Sequence, residues 1–238
     1  MNTAGGCAAL LACRGRVARL SLIAIVVVLV CAVVHAQRAP DWPDTFDGRL
    51  EALALIQTLN AGILSSPSAT AVLERWCADH HLAEPPVLVA ARVKTINRPA
   101  TAEQRARLQV SAADAVAFRH VRLRCGDRVL SEADNWYVPG RLTAEMNRQL
   151  ETTDTPFGRV VRPLEPYRQT FAATLLWSPL PSGWETGAEA LPVFTRGTLA
   201  IPESLFEHHA VLYTSRHAPF AEVDEVYRRE ILAFQPSR

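Results

Sequence analysis

The sequence predicts an α+β domain built around an antiparallel sheet. Three observations lead to this class. Helical patterns come first in the chain, the alternating patterns of β-strands come later, and short turns join the strands into hairpins. Helices and strands that are separated along the chain in this way are typical of an antiparallel sheet with helices packed on it.

Two amphipathic helices are predicted near the start of the domain. Leucine and isoleucine recur at spacings of three and four over 50–64, which is typical of a helix with one buried face. Ser68 is a good N-cap residue, so a second helix is expected to begin there and to run to about Asp79. Shorter helices are predicted over 101–110, behind a capping-box sequence, and over 142–150.

The strands are predicted from the alternation of apolar and polar residues. One strand is expected over 87–93, after two prolines, and two or three strands are expected within 159–179. Two hairpins complete the set, the first formed by 116–125 and 128–138 and the second by 207–214 and 220–232.

Residues 1–36 have the features of an export signal. Three arginines precede Leu20–Val34, an apolar run of 15 residues, and small residues follow at the positions that favour cleavage after Ala36. We therefore expect a periplasmic or secreted protein with a linker at 37–47 and one domain at 48–238. The alternative is an uncleaved anchor formed by 20–36, which is the only membrane contact that the sequence predicts; the run is shorter than the about 20 residues that usually span a bilayer.

The charge and the motifs of the remaining chain exclude several classes of function. Residues 1–36 hold three arginines and no acidic residue, so their removal changes the formal net charge from +1 to −2, which does not indicate a nucleic-acid partner. The sequence contains no motif for nucleotide binding, for a nucleophilic serine or for a redox pair. Adjacent histidines, as in 80–81 and 208–209, diverge and do not form a chelate alone. We expect no cofactor and no metal.

Two cysteines, Cys77 and Cys125, lie outside the predicted signal. In an oxidising compartment they could form a disulfide, which would contribute about 4 kcal/mol to stability on a chain-entropy basis. Two buried free thiols are the alternative.

The main puzzle is that two predicted strands each carry one charged residue on the apolar face. Arg119 alternates in phase with apolar residues of the first hairpin, and Glu225 does so in the last strand. A buried charge needs a partner, so one explanation is a structural ion pair between Arg119 and Glu225. The other is a pocket in which Arg119 binds a ligand carboxylate and Glu225 binds a hydroxyl group at the other end of the ligand. A shift of one residue in either strand would instead turn that charge to solvent.

Five short segments, in order, resemble chorismate pyruvate-lyase and the related UTRA-like ligand-sensing domains of transcriptional regulators. The similarity extends from about Leu64 to Leu232 and implies an α+β fold, with a sheet of about six antiparallel strands, helices and flaps over one face, and an enclosed site for an aromatic acid. The segments are LSSPSATAVL at 64–73, FRHVRL at 118–123, DNWYVP at 134–139, TPFGR at 155–159 and DEVY at 224–227.

The resemblance also implies roles for particular residues. Arg119 would hold the ligand carboxylate, Glu225 would lie at its hydroxyl or ether end, and the backbone of Phe157 would help to close the site. The family reaction eliminates pyruvate from chorismate to give 4-hydroxybenzoate, as a carbon–oxygen lyase without a cofactor.

Three departures separate this chain from the family pattern. Asp134 replaces a small glycine and would crowd a planar ligand, Phe157 replaces a leucine, and export would separate the protein from cytoplasmic chorismate. We therefore expect an exported domain that binds a small aromatic carboxylate, with lyase activity left open. The alternative is a non-catalytic envelope protein in which Arg119 and Glu225 form a structural ion pair.

Overall fold

Six antiparallel strands form a single sheet in the order β1-β2-β3-β6-β5-β4 in the computed structural model, which describes residues 41–235. The predicted α+β class and the strand number are confirmed. The strands are β1 Leu88–Arg92, β2 Ala117–Cys125, β3 Arg128–Tyr137, β4 Tyr167–Leu175, β5 Ser204–Tyr213 and β6 Pro219–Arg228. The helices are α1 Phe46–Leu64, α2 Ala69–Asp79, α3 Ala102–Arg107, α4 Ala144–Thr152 and α5 Phe157–Val160.

The helices begin at the caps that the sequence predicts. The Ser68 side chain accepts a hydrogen bond from the backbone N–H of Ala71, at the start of α2. Thr101 and Gln104 form both halves of a capping box at the start of α3. Only α1 differs clearly, since it begins at Phe46, four residues before the predicted start.

Two strand predictions are corrected. Residues 159–179 contain one strand, β4, instead of two or three, because 157–164 form short helical turns that include Pro163. The last strand ends at Arg228, and residues 229–232 turn away in a 3-10 helix.

The predicted linker at 37–47 is described from residue 41, and this part packs into the domain. Trp42 is 1% exposed, and its indole Nε1 donates a hydrogen bond to the Leu232 carbonyl at 2.9 Å. Residues 41–47 are therefore part of the packed fold rather than a free linker. The predicted export signal lies outside the described residues. None of the helices within 41–235 combines the length and the apolar character needed to cross a membrane.

The two faces of the sheet carry different layers. The inner face, which bears Val121 and Leu123, packs against α1 and α2 in one apolar cluster and against α4 and α5 in another. The outer face bears Trp136, which packs with Leu108 just after α3. Arg119 and Glu225 are buried on the inner face.

A disulfide joins α2 to the end of β2. Cys77 and Cys125 are bonded across 48 residues, with their Cα atoms 6.3 Å apart. Of the two alternatives for these cysteines, the structure has the disulfide.

Candidate ligand-binding site

The strand register places Arg119 and Glu225 on the same face of the sheet. Arg119 lies opposite Asn135 of β3, while Glu225 lies opposite Ala133, two residues away on that strand. Both are buried, with exposures of 3% and 7%. The predicted inward orientation of both charges is confirmed, but one strand separates β2 from β6, so the two side chains face different neighbours.

Arg119 is a buried cation without a carboxylate partner among the described residues. Its Nη2 donates to the carbonyls of Thr153 and Thr155, at 3.3 and 3.1 Å, while Nε and Nη1 have no partner there. The pKa of Arg119 is lowered to about 10. Burial is the largest cause, and the positive charge of Arg92 is the next largest. The guanidinium is therefore still charged at neutral pH and keeps two buried donors free.

Glu225 is paired with a residue that the sequence reasoning missed. Its Oε2 lies 2.7 Å from Nη2 of Arg168, on β4, and accepts a hydrogen bond from the Tyr227 hydroxyl at 2.9 Å. Burial is the largest cause and would lower the pKa of Arg168. The negative charge of Glu225, the effect of Tyr227 and the hydrogen bond to Glu225 together outweigh burial and raise the pKa. The structural ion pair predicted between Arg119 and Glu225 is therefore wrong, because Arg168 takes its place. The sequence held one indication of this pairing: a buried carboxylate such as Glu225 needs a cation, which another strand can supply.

His208 lies beside this ion pair, opposite Glu225 in the register of β5 and β6. Its Nε2 is 2.7 Å from Oδ1 of Asn60, and the side chain is fully buried. Burial first, and then Arg168, lower its pKa to about 4, so the imidazole is neutral at pH 7. Within 41–235 no group of three or more His, Cys, Asp or Glu side chains is placed to hold a metal ion.

A small cavity lies against the inner face between these groups. Its walls include Asn135, the Arg168–Glu225 pair, and Phe157. The start of α2, at 68–70, forms another wall. The volume is about 40 Å³, which is room for about three water molecules. Arg119 is next to this cavity, across from Asn135, rather than part of its wall. An aromatic ring does not fit until the cavity is enlarged.

The segment 153–158, which we call the closing loop, covers the cavity and contacts Arg119. Besides the two carbonyls that Arg119 binds, the Asp154 carbonyl accepts a hydrogen bond from the N–H of Ala90 at 2.7 Å. Gly158 lies so close to α2 that a Cβ atom there would be 2.9 Å from Oγ1 of Thr70. Phe157 is buried and packs near Tyr137. This is the place at which Phe157 was expected to close the site.

The structure contradicts the predicted ligand contact of Asp134. Side chains alternate along β3, so Asp134 points to the outer face while Asn135 points to the cavity. Asp134 accepts a hydrogen bond from His120, with Nδ1 and Oδ1 2.6 Å apart, and contacts Arg98. It therefore neither crowds the cavity nor adds negative charge to it.

Two acidic residues of β6 on the outer face, Asp224 and Glu222, are paired with basic side chains. His209 Nδ1 is 2.7 Å from Oδ1 of Asp224. Arg107 of α3 contacts both carboxylate oxygens of Glu222, at 2.7 and 2.8 Å. The Arg107–Glu222 contact attaches α3 to the sheet, and the contact of Arg98 with Asp134 attaches the segment before α3.

No protein-family model matches the chain. It is 53% identical over 194 residues to the uncharacterized protein y4mC of Sinorhizobium fredii, and the match covers 81% of each chain. Among solved structures, it resembles the effector domain of PhnF from Mycobacterium smegmatis, with a TM-score of 0.42 and 13% identity over 69% of this chain and 90% of that one. It also resembles YydK from Bacillus subtilis, described as a "possible transcriptional regulator", with a TM-score of 0.38 and 13% identity over 63% of this chain, and it spans 61% of that chain. Similarity at this level carries no conclusion about activity.

Proposed function

The chain belongs to the family of the Sinorhizobium fredii protein y4mC, and from its own geometry we propose that it binds a small molecule through a carboxylate held by Arg119. One observation carries the proposal: Arg119 is 3% exposed, is charged, and has two donors without partners among the described residues. A buried hydrogen-bond donor without an acceptor costs about 1–3 kcal/mol, and more when the group is charged. A ligand carboxylate would remove that cost.

The surroundings of Arg119 favour an anion over a neutral ligand. The cation is desolvated. Among the described residues, Asp154 is the one carboxylate that counters its charge; it acts against the like charge of Arg92 and makes no ion pair with Arg119. A buried charge is costly unless it is paired, so the free protein carries an energetic cost at Arg119. The same burial would strengthen the attraction between Arg119 and a bound anion.

The ligand enters by displacement of the closing loop. The cavity of about 40 Å³ is too small for a ring, and Phe157 and Gly158 occupy the space between the sheet and α2. Arg119 binds two carbonyls of this loop, so an ion pair between Arg119 and a ligand carboxylate would form next to the closing loop, which has to move.

The finer parts of the proposal are an aromatic ligand and export. Phe157 lies near the rings of Tyr137 and Phe220, with centroids 5.8 and 6.4 Å away, so a ring that displaced the loop would meet aromatic neighbours. Export is supported by the disulfide, which is typical of oxidising compartments. Turnover has weaker support, because Glu225 is already bound by Arg168 and Tyr227 and is not a free base.

The test is a calorimetric titration of the purified protein with 4-hydroxybenzoate. We expect binding to the wild type and loss of binding in Arg119→Met, because the methionine keeps the apolar stem and removes the charge. Arg122→Met is the matched control, since Arg122 lies on the same strand but pairs with Glu132 and is half exposed. Absence of binding, or equal binding by Arg119→Met, would refute the proposal.

The same preparation tests for lyase activity. Chorismate is added and 4-hydroxybenzoate is followed by absorbance. Product formation by the wild type that is lost in Arg119→Met would make the protein a lyase, and binding without product would make it a ligand-binding protein.

A further inference from the structure

We propose that the site selects a monoanion with a neutral polar group at its far end, and rejects a dianion, because Arg168 and Glu225 neutralise each other there. The inference rests on the proposed function, in which Arg119 holds the carboxylate. It concerns the charge class of the ligand, which the position of Arg119 alone does not determine.

The far end of the cavity contains equal and opposite charges. Arg168 and Glu225 both line it, their closest atoms are 2.7 Å apart, and their side chains are 4% and 9% exposed. Tyr227 donates a further hydrogen bond to the same carboxylate oxygen of Glu225. His208, opposite Glu225, is neutral at pH 7 and adds no charge. The arrangement leaves a polar but neutral surface for the ligand to meet.

The near end of the site holds one uncompensated positive charge. Arg92 and Asp154 act on the pKa of Arg119 in opposite directions, and their formal charges of +1 and −1 sum to zero. Asn135, between the two ends, is neutral and buried. The net charge presented to a ligand is therefore +1, and it is located at Arg119.

A second anionic group on the ligand would thus be buried next to Glu225. It would compete with Glu225 for Arg168, or remain without a partner in a cavity with Leu212 and Val223 in its walls. Either outcome is costly in a desolvated site. A hydroxyl group in the same place hydrogen-bonds without disturbing the ion pair.

The experiment compares 4-hydroxybenzoate with terephthalate, which carries a second carboxylate in place of the hydroxyl group. We expect wild-type protein to bind terephthalate at least about tenfold more weakly, because the second charge is unpaired. In Glu225→Gln the Arg168 guanidinium is released, so we expect the preference to shift toward terephthalate by at least about tenfold. The readout is the ratio of the two dissociation constants.

Two control variants keep the ratio interpretable. Glu222→Gln removes a carboxylate that is also paired with an arginine and also on β6, but on the outer face, so the wild-type ratio should persist. Tyr227→Phe removes one hydrogen bond from Glu225 and leaves the charges unchanged, so the ratio should again be retained.

The outcomes separate this inference from the proposed function. If neither probe binds, or if binding does not depend on Arg119, the proposed function fails and this inference with it. If 4-hydroxybenzoate binds through Arg119 but terephthalate binds equally well, only this inference is overturned. Chorismate also carries two carboxylates, so its conversion by the wild type would likewise overturn this inference and leave the proposed function standing. Should Glu225→Gln fail to fold, the wild-type ratio alone still decides between these results.

Discussion

Arg119 and Arg168 are both buried arginines on the inner face of one sheet, and they differ in what surrounds them. Arg168 has a carboxylate 2.7 Å away, whereas Arg119 has only two backbone carbonyls and two free donors. A buried charge that is paired within the protein contributes to the fold. A buried charge that is left unpaired is available to a ligand. On the proposed function, this difference separates a structural role for Arg168 from a binding role for Arg119.

The largest effect is expected from breaking the Arg168–Glu225 pair. Arg168→Met or Glu225→Ala should each lower the free energy of unfolding by about 3–5 kcal/mol, because the remaining charge stays buried without a partner. The double variant Arg168→Met/Glu225→Leu should recover most of this loss. Urea denaturation measures all three variants. Losses that simply add in the double variant would show that the two residues do not act as a pair.

A smaller effect, dependent on pH, is expected from His208. Its pKa is lowered to about 4 in the folded state, so between pH 6.5 and 4 the unfolded chain binds more protons than the folded one. Stability is therefore complete above pH 6.5 and declines as the pH falls toward 4, by about 3 kcal/mol. The measurement is urea denaturation at pH 7, 5.5 and 4.5.

His208→Gln is the control for this decline, because glutamine does not titrate. The variant should lose less stability than the wild type on acidification. An identical decline in both proteins would assign the acid sensitivity to other groups.

Arg119→Met should change the stability of the ligand-free protein by less than about 1 kcal/mol, in either direction. The lost hydrogen bonds to Thr153 and Thr155 are offset by removal of a desolvated charge. Urea denaturation of Arg119→Met and Arg168→Met under the same conditions compares the two losses of stability directly. A loss as large as that of Arg168→Met would mean that Arg119 is a structural residue.

The smallest effect on binding is expected at Asp134. Asp134→Asn should change the affinity for 4-hydroxybenzoate by less than about twofold, since Asp134 faces the other side of the sheet and shares no partner with the cavity. Asn135→Ala, one residue along β3 and facing the cavity, should weaken binding more. A large gain in affinity for Asp134→Asn would show that Asp134 does oppose the ligand.

The inward direction of Arg119 and Glu225 could be predicted because alternation along a strand is a local property. The caps at Ser68 and Thr101 were predictable for the same reason, since an N-cap bonds within its own first turn. The resemblance misplaced Asp134, because a match of short motifs did not establish which face of β3 each residue occupies. Arg168 was missed because its pairing with Glu225 depends on the strand order β6-β5-β4, which no local pattern contains.

The disulfide has a consequence for how the site opens. Cys77 and Cys125 covalently connect α2, whose start is one wall of the cavity, to β2, which carries Arg119. The closing loop on the other side is attached to β1 and β2 by hydrogen bonds alone, from Ala90 and Arg119. We therefore expect the wall formed by α2 to be stiffer than the closing loop, and the closing loop to be the part that moves when a ligand enters. Reduction of the disulfide would soften the stiff wall and weaken binding without removing a single ligand contact.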